Sequence, residues 1–313
     1  MAGYVLRRLL AAIPVLAIVA VLVFLMLRLT PGDPAAVIAG DNASSEQIAQ
    51  VRQKLGLDQS LPAQFAIWIG NLLHGNLGES FFFKKSIGEL ILGRIEPTLL
   101  LAAATMLIAV CVAIPLGVVA AYRHGSWLDR IVMGMSVLGF SVPVFVIGYL
   151  LIYVFSITLG WFPVQGYQPL SAGLGGYLHR LVLPAVTLSV VYIALIARMT
   201  RASVLEVLNE DYIRTARAKG QVERKILFRH ALKNAAVPIV TVVGIGIALL
   251  IGGVVVTESV FAIPGLGRLT VDAVLARDYP TIQALILMFS GVYVLINLLI
   301  DLTYSLFDPR IRH

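Results

Sequence analysis

Charge is scarce in this chain. Of its 313 residues, 13% are Asp, Glu, Lys or Arg, against about 25% in soluble domains. Cysteine is nearly absent: Cys111 stands alone, so no disulfide forms within the chain. It falls inside an apolar run and reads as a small buried hydrophobe. Five histidines, His74, His124, His179, His230 and His313, all lie outside the long apolar runs, which argues against a membrane-embedded metal or haem site. The phosphate loop G-x-x-x-x-G-K-[ST] is missing, so the chain is not itself a P-loop ATPase. H-E-x-x-H, paired cysteines and G-x-S-x-G are missing as well, which leaves no recognisable catalytic centre.

What fills the chain instead is apolar. The hydrophobic set makes up 59% of the residues, and mean hydropathy is +0.90. A soluble fold of this size has no way to hide so much apolar surface. The sequence therefore predicts an all-α integral membrane protein. A spanning helix needs roughly 20 mostly apolar residues. Six runs qualify: residues 9–27, 97–121, 131–155, 181–197, 238–256 and 282–300. They are continuous rather than alternating, which favours helices over barrel strands. The first follows Arg7 and Arg8 but is longer than a signal-peptide core and lacks a cleavage site, so it reads as an uncleaved helix.

The excess of 24 Lys+Arg over 17 Asp+Glu reports topology rather than nucleic acid. With a cytoplasmic N-terminus, 15 of the 24 basic residues fall in inside segments. The short outer loops hold only Arg180, Arg268 and Arg277. Both termini are expected in the cytoplasm. The division expected is 1–29 for the N-terminal tail and helix 1, 30–96 for a structured extracytoplasmic subdomain, 97–303 for a core of helices 2–6, and 304–313 for a cytoplasmic tail.

Three segments lie outside the hydrocarbon. The loop 30–96 opens on the turn Thr30-Pro31-Gly32-Asp33-Pro34. Helical patterns follow from Ser44-Ser45-Glu46 to Leu55 and from Pro62 to Leu73. Its triplet Asn42-Ala43-Ser44 matches a glycosylation sequon by chance. The inner hairpin 198–235 carries nine Lys+Arg up to Lys233 against Glu206, Glu210, Asp211 and Glu223. Asp211 is expected to cap a helix with Tyr212, Thr215, Ala216 and Lys219 along one face. Gly220 ends that helix, and a second runs from Glu223 to Asn234 with Ile226, Leu227 and Ala231 on one side. Two short basic helices around a glycine suit anionic lipid or a partner protein, and the pattern alone leaves both open. The outer segment 257–280 is rich in turn residues, with Pro264, Gly265 and Gly267 forcing a turn and a short helix near 269–276. Glu258, Phe261, Pro264, Gly265, Gly267, Arg268, Arg277, Asp278 and Tyr279 are its gate candidates.

Charge inside the runs is nearly nil. Arg28, Arg198, Glu258 and Asp301 sit at run ends, where snorkelling or capping accounts for them. Without a buried relay, a proton- or sodium-driven carrier is disfavoured, and the energy for transport must come from elsewhere. Prolines punctuate the runs at Pro14, Pro115 and Pro143. Ser141 and Pro143 are candidates for a kink beside a pathway, although close packing is the commoner use of such small-residue bends.

The segment Glu210-Asp211-Tyr212-Ile213-Arg214-Thr215-Ala216-Arg217-Ala218-Lys219-Gly220, then Arg229-His230-Ala231-Leu232-Lys233-Asn234-Ala235 and Pro238, resembles the signature of permease subunits of ATP-binding-cassette importers. It is most similar to the first permease of the dipeptide/oligopeptide/nickel branch. Pro31-Gly32-Asp33-Pro34, Glu258-Ser259-Val260-Phe261, Pro264-Gly265-Leu266-Gly267-Arg268, Arg277-Asp278-Tyr279-Pro280 and Asp308-Pro309-Arg310-Ile311-Arg312 carry the same resemblance. Against the importers' general motif the chain departs, with Arg214-Thr215-Ala216 in its first places and His230, Leu232 and Lys233 in its last. The resemblance implies a type I importer permease fold of six helices in a bacterial or archaeal inner membrane. It implies that Asp211, Tyr212, Arg214, Thr215, Ala216, Ala218, Lys219, Gly220 and His230 form a coupling helix for ATPase subunits. It further implies a second permease, two ATP-binding subunits that hold ATP and Mg, an extracytoplasmic solute-binding protein, and no cofactor in this chain. The short third connection, Ser156 to Arg180, resembles members that handle glutathione or other small peptides.

Overall fold

Helices form wherever the chain is apolar over a long run, because only there can a lipid-facing backbone satisfy its own hydrogen bonds. The computed structural model describes residues 2–29, 33–40, 43–54 and 56–307. Thr30, Pro31 and Gly32 of the expected turn, Leu55, Asn42 of the sequon-like triplet and the tail Asp308 to Arg312 lie outside them.

In chain order the helices are α1 (Ala2–Arg28), α2 (Pro34–Ala39), α3 (Ser45–Lys54), α4 (Leu61–Leu73), α5 (Ile87–Tyr122), α6 (Trp127–Ser141) and α7 (Val144–Leu151). There follow α8 (Leu174–Leu208), α9 (Asp211–Ala218), α10 (Glu223–Lys225), α11 (Leu232–Asn234), α12 (Ala236–Val260), α13 (Leu266–Leu275) and α14 (Tyr279–Phe307). Wider π turns extend α7 over Ile152–Thr158 and join α10 to α11 over Ile226–Ala231. Among the described residues there is no strand, only an isolated bridge between Glu79 and Ser86.

Among the described residues, five helices are long and apolar enough to cross a membrane: Leu10–Arg28, Ile87–Tyr122, Leu174–Leu208, Ala236–Val260 and Tyr279–Leu302. The expected third span, 131–155, takes another form. It is not one helix but two, α6 and the extended α7, bent by 104° at their junction. The cause is local. Proline restricts the residue before it to extended backbone, and Val142 stands at ψ 124°. The count of six holds with this broken pair as one span.

Two ends also differ from expectation. Helix α5 starts at Ile87, so the tail of the expected subdomain 30–96 is already helical. Helix α8 runs to Leu208, so the first part of the expected hairpin 198–235 is the same helix as the fourth span. Cys111, expected to be buried, is exposed on α5. It shares the open side of the chain with Leu107, Val112 and Leu116, which are exposed too. A helix that faces lipid needs no polar side, so apolarity does not tell which residues turn inward.

The chain divides into two compact units. One comprises residues 1–5, 97–263 and 295–313; the other comprises 6–96 and 264–294. In the first, α8 is the central post, packed by α6, α7 and α12. Leu101, Leu188, Ile196, Leu250 and Phe261 are core residues there. A second cluster gathers Val118, Val204, Leu208, Ile213, Ile226, Ala231 and Ile239 around the far end of α8. In the other unit, Ile87, Ile91, Leu266, Leu269 and Leu285 form a core of their own. The Phe24 ring meets the edge of Phe65 at 5.1 Å, and Gln283 Nε2 donates to the Val23 carbonyl at 2.7 Å.

Candidate coupling site

After Leu208 the chain turns and starts α9. The cap position belongs to Glu210, extended at φ −68° and ψ 147°, and its side chain makes no capping bond. Asp211, expected as the cap, is the first helical residue instead. Its charge still complements the helix N-terminus. Its carboxylate pairs with Arg214 at 3.3 Å, but both are so exposed that the pair contributes little.

The buried face of α9 is shifted by one position from the expected one. Ile213 is fully buried among Val204, Leu208 and Ile226, and Ala216 is half-buried beside it. Tyr212, Thr215, Ala218 and Lys219 are exposed. Burying a branched aliphatic side chain stabilises by about 1.5–3 kcal/mol, whereas tyrosine, threonine and lysine carry polar ends that favour water. Ile213→Ala should therefore remove about 2–5 kcal/mol of packing and loosen the hairpin. Trypsin should then cut after Arg214 and Arg217 about tenfold faster. Thr215→Ala, on the exposed side, should leave the rate alone. Equal rates in both variants would refute Ile213 as the anchor.

Gly220 makes the corner at φ +75°, a left-handed conformation that L side chains rarely adopt, with nothing within 4 Å of where a Cβ would stand. Its N–H donates to the Arg217 carbonyl at 2.9 Å, and Gln221 N–H donates to the Ala216 carbonyl at 3.2 Å. The returning limb, residues 223–234, buries Ile226 and Ala231. Three polar links tie it back. Asn234 Nδ2 donates to Tyr212 Oη at 2.8 Å. Arg217 Nε donates to Glu223 Oε1 at 2.9 Å. His230 Nε2 lies 2.9 Å from Gln221 Oε1. Of the expected coupling residues, then, Tyr212 and His230 help hold the hairpin closed. Arg214, Thr215, Ala218 and Lys219 are presented outward. Sequence reading missed Ile213, whose stripe competes with that of Tyr212, and it missed Gln221, Glu223 and Asn234, whose spacing marks nothing.

The arrangement offers no nucleophile beside a base. It offers a stapled, basic, outward-facing knob of small and polar side chains. Such a surface is suited to insertion between groups of opposite charge.

The gate candidates separate into two groups, one in each unit. In the first, Glu258 is fully buried and accepts from Thr98 Oγ1 at 2.5 Å. Phe261 is buried at the end of α12. In the second, Asp278 is buried and accepts from Ser80 Oγ, and from Thr281 Oγ1 at 2.7 Å. Gly267, expected in a turn, is inside α13. The left-handed positions are Ala262 and Arg277, at φ 52° and 53°. Pro264 is exposed, Gly265 caps α13, and Arg268 and Tyr279 are half-buried. Ser141 is exposed and bonds back to the Val137 carbonyl at 2.9 Å. Pro143 opens α7 at the break.

Residues 113–313 match the family described as the binding-protein-dependent transport system inner membrane component, and residues 1–102 match its N-terminal region. The chain belongs to this family. The resemblance read from the coupling signature is thus borne out. A relative described as a probable peptide ABC transporter permease protein, from Sinorhizobium fredii, is 54% identical over the whole of both chains. A putative peptide transport system permease protein of Brucella abortus (strain 2308) is 47% identical, again over the whole of both. The glutathione transport system permease protein of Salmonella typhi is 46% identical over the same extent. Among solved structures, an inward-facing form of the methionine ABC transporter MetNI superposes with a TM-score of 0.60 at 19% identity, covering 70% of this chain and 96% of that one. This family makes the chain a multi-pass membrane permease, and its several spans are those that the six-run pattern predicts.

Proposed function

We propose that the chain is one permease subunit of an ATP-driven importer that carries short peptides, or closely related small solutes, into a bacterial cell. The observation that carries this reading is full-length similarity to proteins named as peptide and glutathione permeases. The basic hairpin supports it further, since the chain has no phosphate loop of its own and needs somewhere for an ATPase to push. In this reading both termini and α9 face the cytoplasm, and segments 30–96 and 257–280 face outward. A second permease completes the pathway. Two ATP-binding subunits hold ATP and Mg, and a solute-binding protein delivers the cargo. ATP-driven closure of the ATPase pair moves α9, and the spans rock between inward- and outward-facing states.

Glutathione is the favoured second reading of the cargo, on the 46% identical relative, and a nickel complex the third. The test is co-purification with the partner subunits, followed by ATPase assays over dipeptides, oligopeptides, glutathione and nickel chelates. Stimulation by one of the peptides or by glutathione is expected. Uptake that persists in vesicles stripped of ATP, by a complex lacking any ATPase subunit, would overturn the reading.

A further inference from the structure

A polar cluster sits where α6 begins. Ser126 caps the helix, its Oγ accepting from Asp129 N–H at 3.4 Å. Asp129 lies in the first turn and is almost fully buried. Both of its oxygens are engaged by α8: Arg201 Nε donates to Oδ1 at 2.5 Å and Nη2 to Oδ2 at 2.8 Å. Oδ2 also accepts from Gly125 N–H at 3.0 Å. His124 closes the group, with Nδ1 3.3 Å from Asp129 Oδ2 and 3.0 Å from Arg201 Nη2. A guanidinium set bidentately on a carboxylate fixes direction as well as distance.

The place of the pair along α8 gives it meaning. Arg201 is about two helical turns before Leu208, where the hairpin leaves. Val204 and Leu208, between the pair and the hairpin, are the bed on which Ile213 rests. Away from the hairpin, α6 meets α8 again through Gly139, where a Cβ would stand 3.1 Å from Ala194 Cβ and 3.3 Å from the Val190 carbonyl. Positions rise on α6 as they fall on α8, so the helices run antiparallel and touch at two levels. The upper contact is small and apolar. Such surfaces hold helices together but carry no direction, and they resist sliding weakly. The buried ion pair does have direction, and setting register is the best-attested use of such pairs.

We propose that Asp129 and Arg201, with His124 against them, are positioning residues. They pin α6 to α8, so that displacement of the hairpin moves both helices as one body and reaches the break at Ser141 and Pro143. This rests on the importer reading above.

The test uses the whole complex in vesicles, with Cys111→Ser in the permease and dialanine and glutathione as probes. In Arg201→Ala, uptake per ATP hydrolysed should fall at least tenfold, while the hydrolysis rate stays within about twofold of the parent. Arg201→Lys keeps the charge without the fork and should fall between. The pair Gly139→Cys and Ala194→Cys puts the Cβ atoms 3.1 Å apart, a few tenths of an ångström inside the usual disulfide range of about 3.5–4.5 Å, which a small shift of α6 reaches. Its oxidation should leave uptake within about twofold, because helices that move together tolerate a cross-link. Unchanged uptake per ATP in Arg201→Ala would overturn the proposal. So would a cross-link that stops uptake until reduced, or a cysteine pair that fails to oxidise. If Arg201→Ala does not assemble, the cross-link decides alone. A parent complex that takes up neither probe with ATP would sink the importer reading first, and that failure is visible before any variant is made.

Discussion

Gly220→Pro should abolish import while ATP hydrolysis continues. The corner at Gly220 has φ +75°, and proline is held near −65°. The ring also removes the N–H that now donates to Arg217 at 2.9 Å. The turn has no way to form as it stands, so the returning limb loses its register against α9. With it go the links Tyr212–Asn234, Arg217–Glu223 and Gln221–His230. Insertion into the membrane depends on the apolar spans, and Gly220 touches none of them. The product is a folded permease with a deformed knob. Gly220→Ala is a graded control. It adds about 1–2 kcal/mol of left-handed backbone strain but meets no neighbouring atom, and it should lower coupling without abolishing it. The measurement is uptake and ATP hydrolysis side by side in vesicles, with permease abundance checked in the same membranes. Wild-type uptake by Gly220→Pro would remove the coupling assignment.

The corner at Gly220 was legible because a glycine between two helical patterns has few other uses. The left-handed Ala262 and Arg277 were not, since nothing in those residue types announces a positive φ. The spans were legible from apolar runs, but their ends were not. Hydropathy senses lipid rather than helix, and α8 continues past Arg198, Arg201 and Glu206 to Leu208 because charged residues are good helix formers. Pro143 breaks its span, whereas Pro14, Pro97, Pro115 and Pro184 lie inside unbroken helices. The residue is the same, so the difference lies in the surrounding packing, which the sequence does not display. The face of α9 was misread by one position because Tyr212 and Ile213 both begin plausible stripes. Only the pocket formed by Val204, Leu208 and Ile226 selects Ile213. Asp129 and Arg201 are 72 residues apart, so in the sequence one is an isolated acid and the other one more basic residue in a topology count.

Close approach of α5 to α8 leaves no room for a side chain at Gly117. At Gly117 an added Cβ would stand 2.6 Å from Thr200 Cβ, 2.9 Å from its Cγ2 and 2.7 Å from the Ala197 carbonyl oxygen. Thr200 is fully buried, so its side chain has no solvent to swing into. The carbonyl yields only if α8 itself moves. Overpacking of this kind costs about 1–3 kcal/mol, and a backbone clash puts Gly117→Ala at the upper end. That corresponds to a fall in melting temperature of up to about 6–12 °C, taking the roughly 2–4 °C per kcal/mol of domains of about 150–250 residues as an upper bound. Gly117→Val, with two further methyl groups, should fail to accumulate. Thr200→Gly in the Gly117→Ala background removes two of the three clashes and leaves the Ala197 carbonyl, so it should restore only part of the loss. Gly134, on the exposed side of α6 with nothing within 4 Å, is the matched control. There alanine should be neutral or stabilising by up to about 1 kcal/mol, because it is the better helix former. Thermal unfolding of the two alanine variants in one detergent compares them directly. Equal melting temperatures would mean that α5 does not pass so near α8, and the central post of the first unit would need to be rebuilt.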